Sequence, residues 1–223
     1  FEAGAVAAVI GPEAGKLIPP TDTNAVYVLH EPVEKLAGSI AAAFWQHPAS
    51  RMTLIGVTGT NGKTTTTHLI EHLGKSLGVP TALFGTLTNR WPGKNYLTEH
   101  TTSFGDTLQS QLGEAVSDGV KLAAMEISSH ALDQQRVAGC RFSGAVFTNL
   151  SQDHLDYHKT MDEYYKAKCK LFLPPFLLPG KGKAIINVDD VWGAKLADLL
   201  GDICWRCSLK EGMNDPDKAE LTI

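Results

Sequence analysis

The chain has no apolar run approaching the ~20 residues that cross a bilayer, so no membrane partner is expected. It holds only four cysteines in 223 residues. That is too few for a disulfide scaffold, and free buried thiols in a cytoplasmic protein are the expectation. Cys204 and Cys207 have C-x-x-C spacing, but without a second pair of ligands this is a weak metal or redox signal. Positive charge is not in excess either, since 20 Lys and Arg against 24 Asp and Glu leave a net charge of -4. A nucleic acid is therefore not the expected partner. The first residues, FEAGAVAAVIGPEAG, have no basic region, and no signal peptide is read there. No repeat or low-complexity segment occurs. At 43% hydrophobic and 20% charged residues, the composition is that of a globular protein able to bury a sizeable core.

One further absence is local. GVTGTNGKTT, residues 56–65, reads as a phosphate loop opening a helix, yet a G-x-x-x-x-G-K-[ST] loop would need glycine where Val57 stands. The loop is a variant, and general phosphate-loop roles carry over only from Gly59 onward. Thr58-Gly59-Thr60-Asn61-Gly62-Lys63-Thr64 allows a tight turn with inward-pointing N–H groups, backed by the positive end of a helix. Lys63 supplies a point charge for β/γ-phosphates, and the Thr64 hydroxyl is placed for Mg²⁺.

The pattern around this loop alternates strands and helices. Residues 1–30 read as short strands ending a small α/β unit, residues 34–45 as a helix, and His47 to Arg51 as a linker. Strands are then expected at MTLIGVTG, VPTALFGT, KLAAMEIS, GAVFTNL, KAIINVDD and DICWRCS, with helices over about 63–78, 103–119, 161–172 and 191–200. Near-continuous apolar strands between helices predict an α/β fold with a mostly parallel sheet covered on both faces. Ligands gather outside the carboxyl ends of such strands. Glu126, ending its strand, is a natural Mg²⁺ ligand because hard cations take oxygen donors. Asp153, His154, Asp156 and His158 fit a metal cluster or a solvated loop equally. Lys168, within a helix, reads by itself as a snorkelling surface lysine. These residues alone describe a magnesium-dependent, ATP-using enzyme. Kinase, ATPase motor and ATP-driven ligase all remain open.

The wording of three segments narrows the choice. GVTGTNGKTT, MEISSHALDQQR and TNLSQDHLDYHKTMDEYYKAKCKLF, in this order and spacing, resemble the Mur ligase family, and within it the branch that adds the third residue of the peptidoglycan stem peptide. The resemblance covers roughly residues 50–200. It implies a P-loop-type central ATP-binding domain over 49–223, lacking its last strands, preceded over 1–48 by the end of a small α/β UDP-binding domain. It also implies an ATP-dependent amide ligase, working as a cytoplasmic monomer. That enzyme joins meso-diaminopimelate or L-lysine to UDP-N-acetylmuramoyl-L-alanyl-D-glutamate through an acyl phosphate.

By matching motif, Gly59, Thr60, Asn61, Gly62, Lys63, Thr64, Thr65 and Asn187 would bind ATP, with Asn187 at the adenine. Thr64 and Glu126 would hold one Mg²⁺, and His154 and Lys168 a second. Lys168 matches a lysine that the family carbamylates with CO₂, and Lys63, Lys168 and His154 would be catalytic. Thr101, Thr102, Ser128, Gln134 and Arg136 would hold the UDP-linked substrate, Arg136 through its planar fork. The resemblance further implies that the amino-acid-selecting domain is not included, so this stretch alone would be inactive. Asn214-Asp215-Pro216-Asp217 differs in order from the family's selecting motif. A P-loop kinase or phosphotransferase, or a non-catalytic nucleotide-binding remnant, are the alternatives.

Overall fold

In the computed structural model, which describes residues 7–16, 26–29, 32–209 and 221–222, two strands come first. β1 (Ala7–Ile10) and β2 (Val26–Leu29) pair in parallel as a sheet of their own, with the short α1 (Pro12–Gly15) between them in sequence. The polar segment at 214–217 lies outside the described residues. Helix α2 (Ala37–Phe44) follows a 3-10 turn at Val33–Lys35.

The rest builds around one nine-stranded sheet. Its strands are β3 (Thr53–Thr58), β4 (Thr81–Phe84), β5 (Thr88–Trp91), β6 (Lys94–Leu97), β7 (Leu122–Glu126), β8 (Gly144–Phe147), β9 (Lys183–Asn187), β10 (Cys204–Ser208) and β11 (Leu221–Thr222). The helices are α3 (Lys63–Ser76), α4 (Gly105–Ser117), α5 (Ser129–Asp133), α6 (Leu155–His158), α7 (Met161–Cys169) and α8 (Val191–Leu200). The strand order is β11-β10-β9-β8-β3-β7-β4-β5-β6. All pairings are parallel as far as β4, and the last two are antiparallel. The expected α/β architecture is present, and β5–β6 and the two-residue β11 are the additions. The β5–β6 strands are short and polar (TNRW and KNYL) and join through Pro92-Gly93, with Gly93 at φ 81°. The polar sequence hides the strand signal, while Pro-Gly supplies the turn.

Burial explains the order. Leu54 and Val57 of β3, Ala123, Ala124 and Met125 of β7, and Ala145 and Phe147 of β8 are all buried. These central strands are therefore covered on both faces, which is why they read as unbroken apolar runs. Phe142, Phe172, Leu171 and Ile186 extend the same core. Helix α2 lies on α4, where the backbone of Gly38 meets that of Gly105. Cys204 and Cys207, three apart on β10, point to opposite faces, and no disulfide is formed among the described residues. Burial pushes the Cys140 thiol up to about 12 and Cys169 up to about 11, so both are inert.

Register then places the chemistry. Val57 lies opposite Glu126 on one side and Val146 on the other, and Thr58 opposite Phe147. Phe147 lies opposite Ile186. The carboxyl ends of β7, β3, β8 and β9 are thus level, at the point where the chain order reverses.

Candidate active site

Gly59 leaves β3 at φ +144°, and a Cβ there would sit 2.0 Å from the Thr148 hydroxyl oxygen. Only glycine fits so close to the β8 loop. The phosphate loop is then stitched to that neighbour. Thr60 N donates to Asn149 O at 2.9 Å, Asn61 N to Asn149 Oδ1 at 3.0 Å, and Asn149 Nδ2 back to Asn61 O at 3.0 Å. Asn187 Nδ2 donates to Thr148 O at 2.9 Å, bracing the β8 loop from β9.

Helix starts around the site divide into two kinds. α5 is capped by Ser128, α7 by Thr160 with Glu163 three residues on, and α8 by Asp190. These satisfy their own first-turn N–H groups. α3 starts at Gly62 with no side-chain cap, leaving its positive end open at the loop mouth, where an anion is stabilised. Thr65 is exposed on that first turn.

Two lysines converge here. Lys63 Nζ donates to Thr60 O at 2.8 Å and to Gly59 O at 3.0 Å, and Lys168 Nζ donates to the same Gly59 O at 2.8 Å. Lys168 is only 1% exposed and lies 4.6 Å over the Tyr164 ring. Burial, then the charge of Lys63, brings its pKa down to about 7. The surface-lysine reading of Lys168 is thereby corrected. Burial also lowers Lys63, against the pull of Glu126 and Asp153.

Facing them is Glu126, likewise 1% exposed. Its Oε2 accepts from the Thr64 hydroxyl at 2.9 Å and the Thr86 hydroxyl at 3.0 Å, and its Oε1 from Thr86 N at 3.0 Å. Gly85 allows this approach, since a Cβ there would lie 2.3 Å from Oε1. No basic side chain pairs with Glu126 among the described residues. A buried carboxylate ringed by hydroxyls is a donor set for a hard cation. Mg²⁺ is typically held by one or two carboxylates together with substrate phosphates.

The residues expected to hold the second substrate adjoin Glu126. Thr102 Oγ1 donates to Glu126 O at 2.9 Å and accepts from Ser128 N at 3.1 Å. Arg136 donates to Thr102 O at 3.0 Å and to Gln134 Oε1 at 2.9 Å, with its guanidinium 4.1 Å over Phe104. Thr101 Oγ1 lies 3.1 Å from Thr86 Oγ1.

His154 is 43% exposed and 3.5 Å from Asp153. It packs edge-on against His130 and Tyr164, with His158 and Tyr157 completing an aromatic cluster. His158 is buried with Nε2 unpartnered. Burial, then its neighbour His130, lowers its pKa. Asp156 and His158 do not close a three-ligand His, Cys, Asp or Glu cluster among the described residues.

Sequence reasoning missed Thr86 and Tyr164. Thr86 lies two residues past the end of β4, inside the run VPTALFGT whose sequence reads as strand throughout. Tyr164, one turn before Lys168, bonds Thr60 at 3.2 Å and carries no sequence signal beyond that spacing.

Comparison with known proteins shows the family and the fold. Residues 57–221 match the family model described as the Mur ligase middle domain. The UDP-N-acetylmuramoyl-L-alanyl-D-glutamate--2,6-diaminopimelate ligase of Prochlorococcus marinus (strain MIT 9313) is 63% identical over 99% of this chain and 44% of its own length. The protein of the same name from Parasynechococcus marenigrum (strain WH8102) is 64% identical over 100% of this chain and 44% of its own. A solved structure of a ligase of that name superposes with a TM-score of 0.70 at 30% identity, covering 87% of this chain and 40% of the other. The chain thus spans under half the length of these relatives. With a matched middle domain, a phosphate loop at the switch point and Glu126 facing it, the chain belongs to the Mur ligase family.

Proposed function

We propose that this chain is the ATP-handling part of an amide ligase that adds a diamino acid to UDP-N-acetylmuramoyl-L-alanyl-D-glutamate. The observation that carries the proposal is Lys168, 1% exposed with its Nζ 2.8 Å from Gly59 O of the phosphate loop, where burial and then the charge of Lys63 bring its pKa down to about 7. An amine that is substantially unprotonated near neutrality can take up CO₂, and the resulting carbamate would replace a repelling ammonium with two oxygen donors. The relatives' names favour diaminopimelate as the diamino acid. Residues 1–48 are read as the end of a UDP-binding domain, consistent with β1–β2 forming a separate sheet, and 49–223 as the central domain. The ligase is proposed to act as a cytoplasmic monomer. No helix among the described residues is long and apolar enough to cross a membrane.

In this reading ATP is a substrate whose phosphates lie on Gly59–Thr65, with its adenine toward Asn187. Thr64 and Glu126 would hold one Mg²⁺, and His154 and carbamylated Lys168 a second. Bound there, the ions would neutralise charge on the transferring phosphoryl group. Lys63 leaves the Thr60 carbonyl to meet the β/γ-phosphates. The D-glutamate carboxylate, held by Arg136 and the Thr101–Thr102 side, is aligned with the γ-phosphorus. Its oxygen forms the new P–O bond as the bond to ADP breaks, giving an acyl phosphate. The amino acid's amine then attacks the acyl carbon and loses a proton, and the tetrahedral centre collapses to an amide and inorganic phosphate. The side chains contribute mainly position and charge.

The test uses the protein as it is naturally produced. ADP release should require ATP, the muramoyl dipeptide and the diamino acid together, with amide product formed. Phosphorylation of a stable acceptor without amide would overturn the reading. Intact-mass analysis in bicarbonate should show a carbamate that Lys168→Ala removes.

A further inference from the structure

Arg136 carries a partly buried charge that no carboxylate pairs among the described residues. Its Nε donates to Gln134 Oε1 at 2.9 Å and its Nη1 to Thr102 O at 3.0 Å, both of them neutral acceptors. Burial works against the charge and lowers the Arg136 pKa. A guanidinium has five N–H donors, so three stay free for a bound anion. The two bonds lie at the rim of the planar group, and its face is covered by Phe104. The Phe104 ring centroid is 4.1 Å from Arg136 Cζ, and His100 packs edge-on against the same ring at 5.1 Å.

Folding gives little reason for an aromatic ring at this position. Phe104 is 51% exposed, so it adds little to the core. It also occupies the N-cap of α4, with extended backbone at φ -63° and ψ 155° and no side-chain cap. Ser, Thr, Asp and Asn are preferred there because their side chains accept from first-turn N–H groups, which a phenyl ring cannot do. Neighbouring α5, α7 and α8 all start on such a residue. An aromatic face does, however, attract a cation stacked on it and shield it from water. Two bonds in the plane and one covered face together hold the guanidinium in one orientation.

We propose that Phe104 is a positioning residue whose ring holds the Arg136 guanidinium in the plane from which its free N–H donors meet the carboxylate of the muramoyl dipeptide. This rests on the function proposed above. Phe104→Leu keeps apolar bulk and removes the aromatic face. The dipeptide's dissociation constant, measured by calorimetry on the naturally produced protein without ATP, should rise about fivefold, the size of one cation–π contact. Its KM should rise similarly, with kcat changed less. Phe104→Tyr should stay within about twofold of wild type, and Phe104→Trp should bind at least as tightly, because Trp offers the strongest face. Phe104→Asn separates positioning from folding, since it loses the ring but gives α4 a cap. It should bind as weakly as Phe104→Leu while its thermal midpoint stays within about 2 °C of wild type, the cap offsetting the ring surface lost. A wild type that binds no muramoyl dipeptide would overturn both readings. Three results would overturn this inference alone: wild-type binding that Phe104→Leu or Phe104→Asn leaves unchanged, a Phe104→Trp variant as weak as Phe104→Leu, or a Phe104→Asn variant that melts lower as its binding falls.

Discussion

The two ends of α3 treat buried charge in opposite ways. At its far end Glu71, 5% exposed on its side chain, is fully paired. Arg90 from β5 grips it with Nε and Nη2 at 2.9 and 2.6 Å, and Lys75 adds a contact at 2.7 Å. At its near end Glu126 has only hydroxyl and N–H donors, while Lys63 and Lys168 share a backbone carbonyl instead of taking a carboxylate. Charges buried for stability come with their partners in the chain. Charges buried near the loop have their partners missing, which is expected where a ligand supplies them. Function at one end and structure at the other should therefore respond differently to the same kind of substitution.

The largest expected effect is at the near end. On the proposed reading, Lys63→Met or Lys168→Met lowers amide formation by about 10³-fold, the usual scale for losing a group that stabilises developing charge. Stability should not fall with it. Below pH 7 Lys168 is charged in both the folded and unfolded chain, and the folded state carries the cost of burying it. Lys168→Met removes that cost, so its thermal midpoint at pH 6 should equal or exceed wild type. A variant that loses activity because it melts lower would break the contrast.

At the far end the signs reverse. Glu71→Ala strands Arg90 and Lys75 and unfastens β5 from α3, costing about 3 kcal/mol in denaturant unfolding. Amide formation per folded molecule should stay at the wild-type level. A loss of turnover in excess of the unfolded fraction would mean that the far end reaches the site after all.

The two ends also differed in how readable they were. The near end was legible because phosphate binding demands particular residues at particular spacings: Gly59, Gly62, Lys63 and Thr64 follow an apolar strand, and Glu126 ends another. The parallel sheet was legible for the same physical reason, since strands covered on both faces become apolar runs. The far end was invisible. Arg90 sits in a four-residue strand of mostly polar residues, and nothing local says that it crosses to Glu71, nineteen residues earlier. Lys168 was the harder case. Its helix neighbours Lys166 and Lys170 suggest a solvated face, and only the tertiary contact with Gly59 shows that one of the three is buried. Thr86 is hidden because the apolar run VPTALFGT reads as strand two residues beyond where β4 ends.

The smallest effect is the most direct test of pairing at the far end. Burial alone would raise the Glu71 pKa, but Arg90 and Lys75 outweigh it and hold the carboxyl down at about 2, against an ordinary 4.5. Above pH 4.5 the side chain is ionised in folded and unfolded chains alike, and its full contribution is present. As pH falls from 4.5 toward 2, the unfolded chain takes up the proton first and that contribution drains away. The loss should be about 2 kcal/mol once solvent screening of the half-exposed Lys75 is allowed for. Glu71→Gln has no proton to take up there. Its unfolding free energy should therefore fall less steeply than wild type between pH 4.5 and 2, and the two curves should approach each other at the acid end. Parallel curves would mean that Glu71 is not paired in solution, and the division of α3 into a satisfied end and an open end would fail with it.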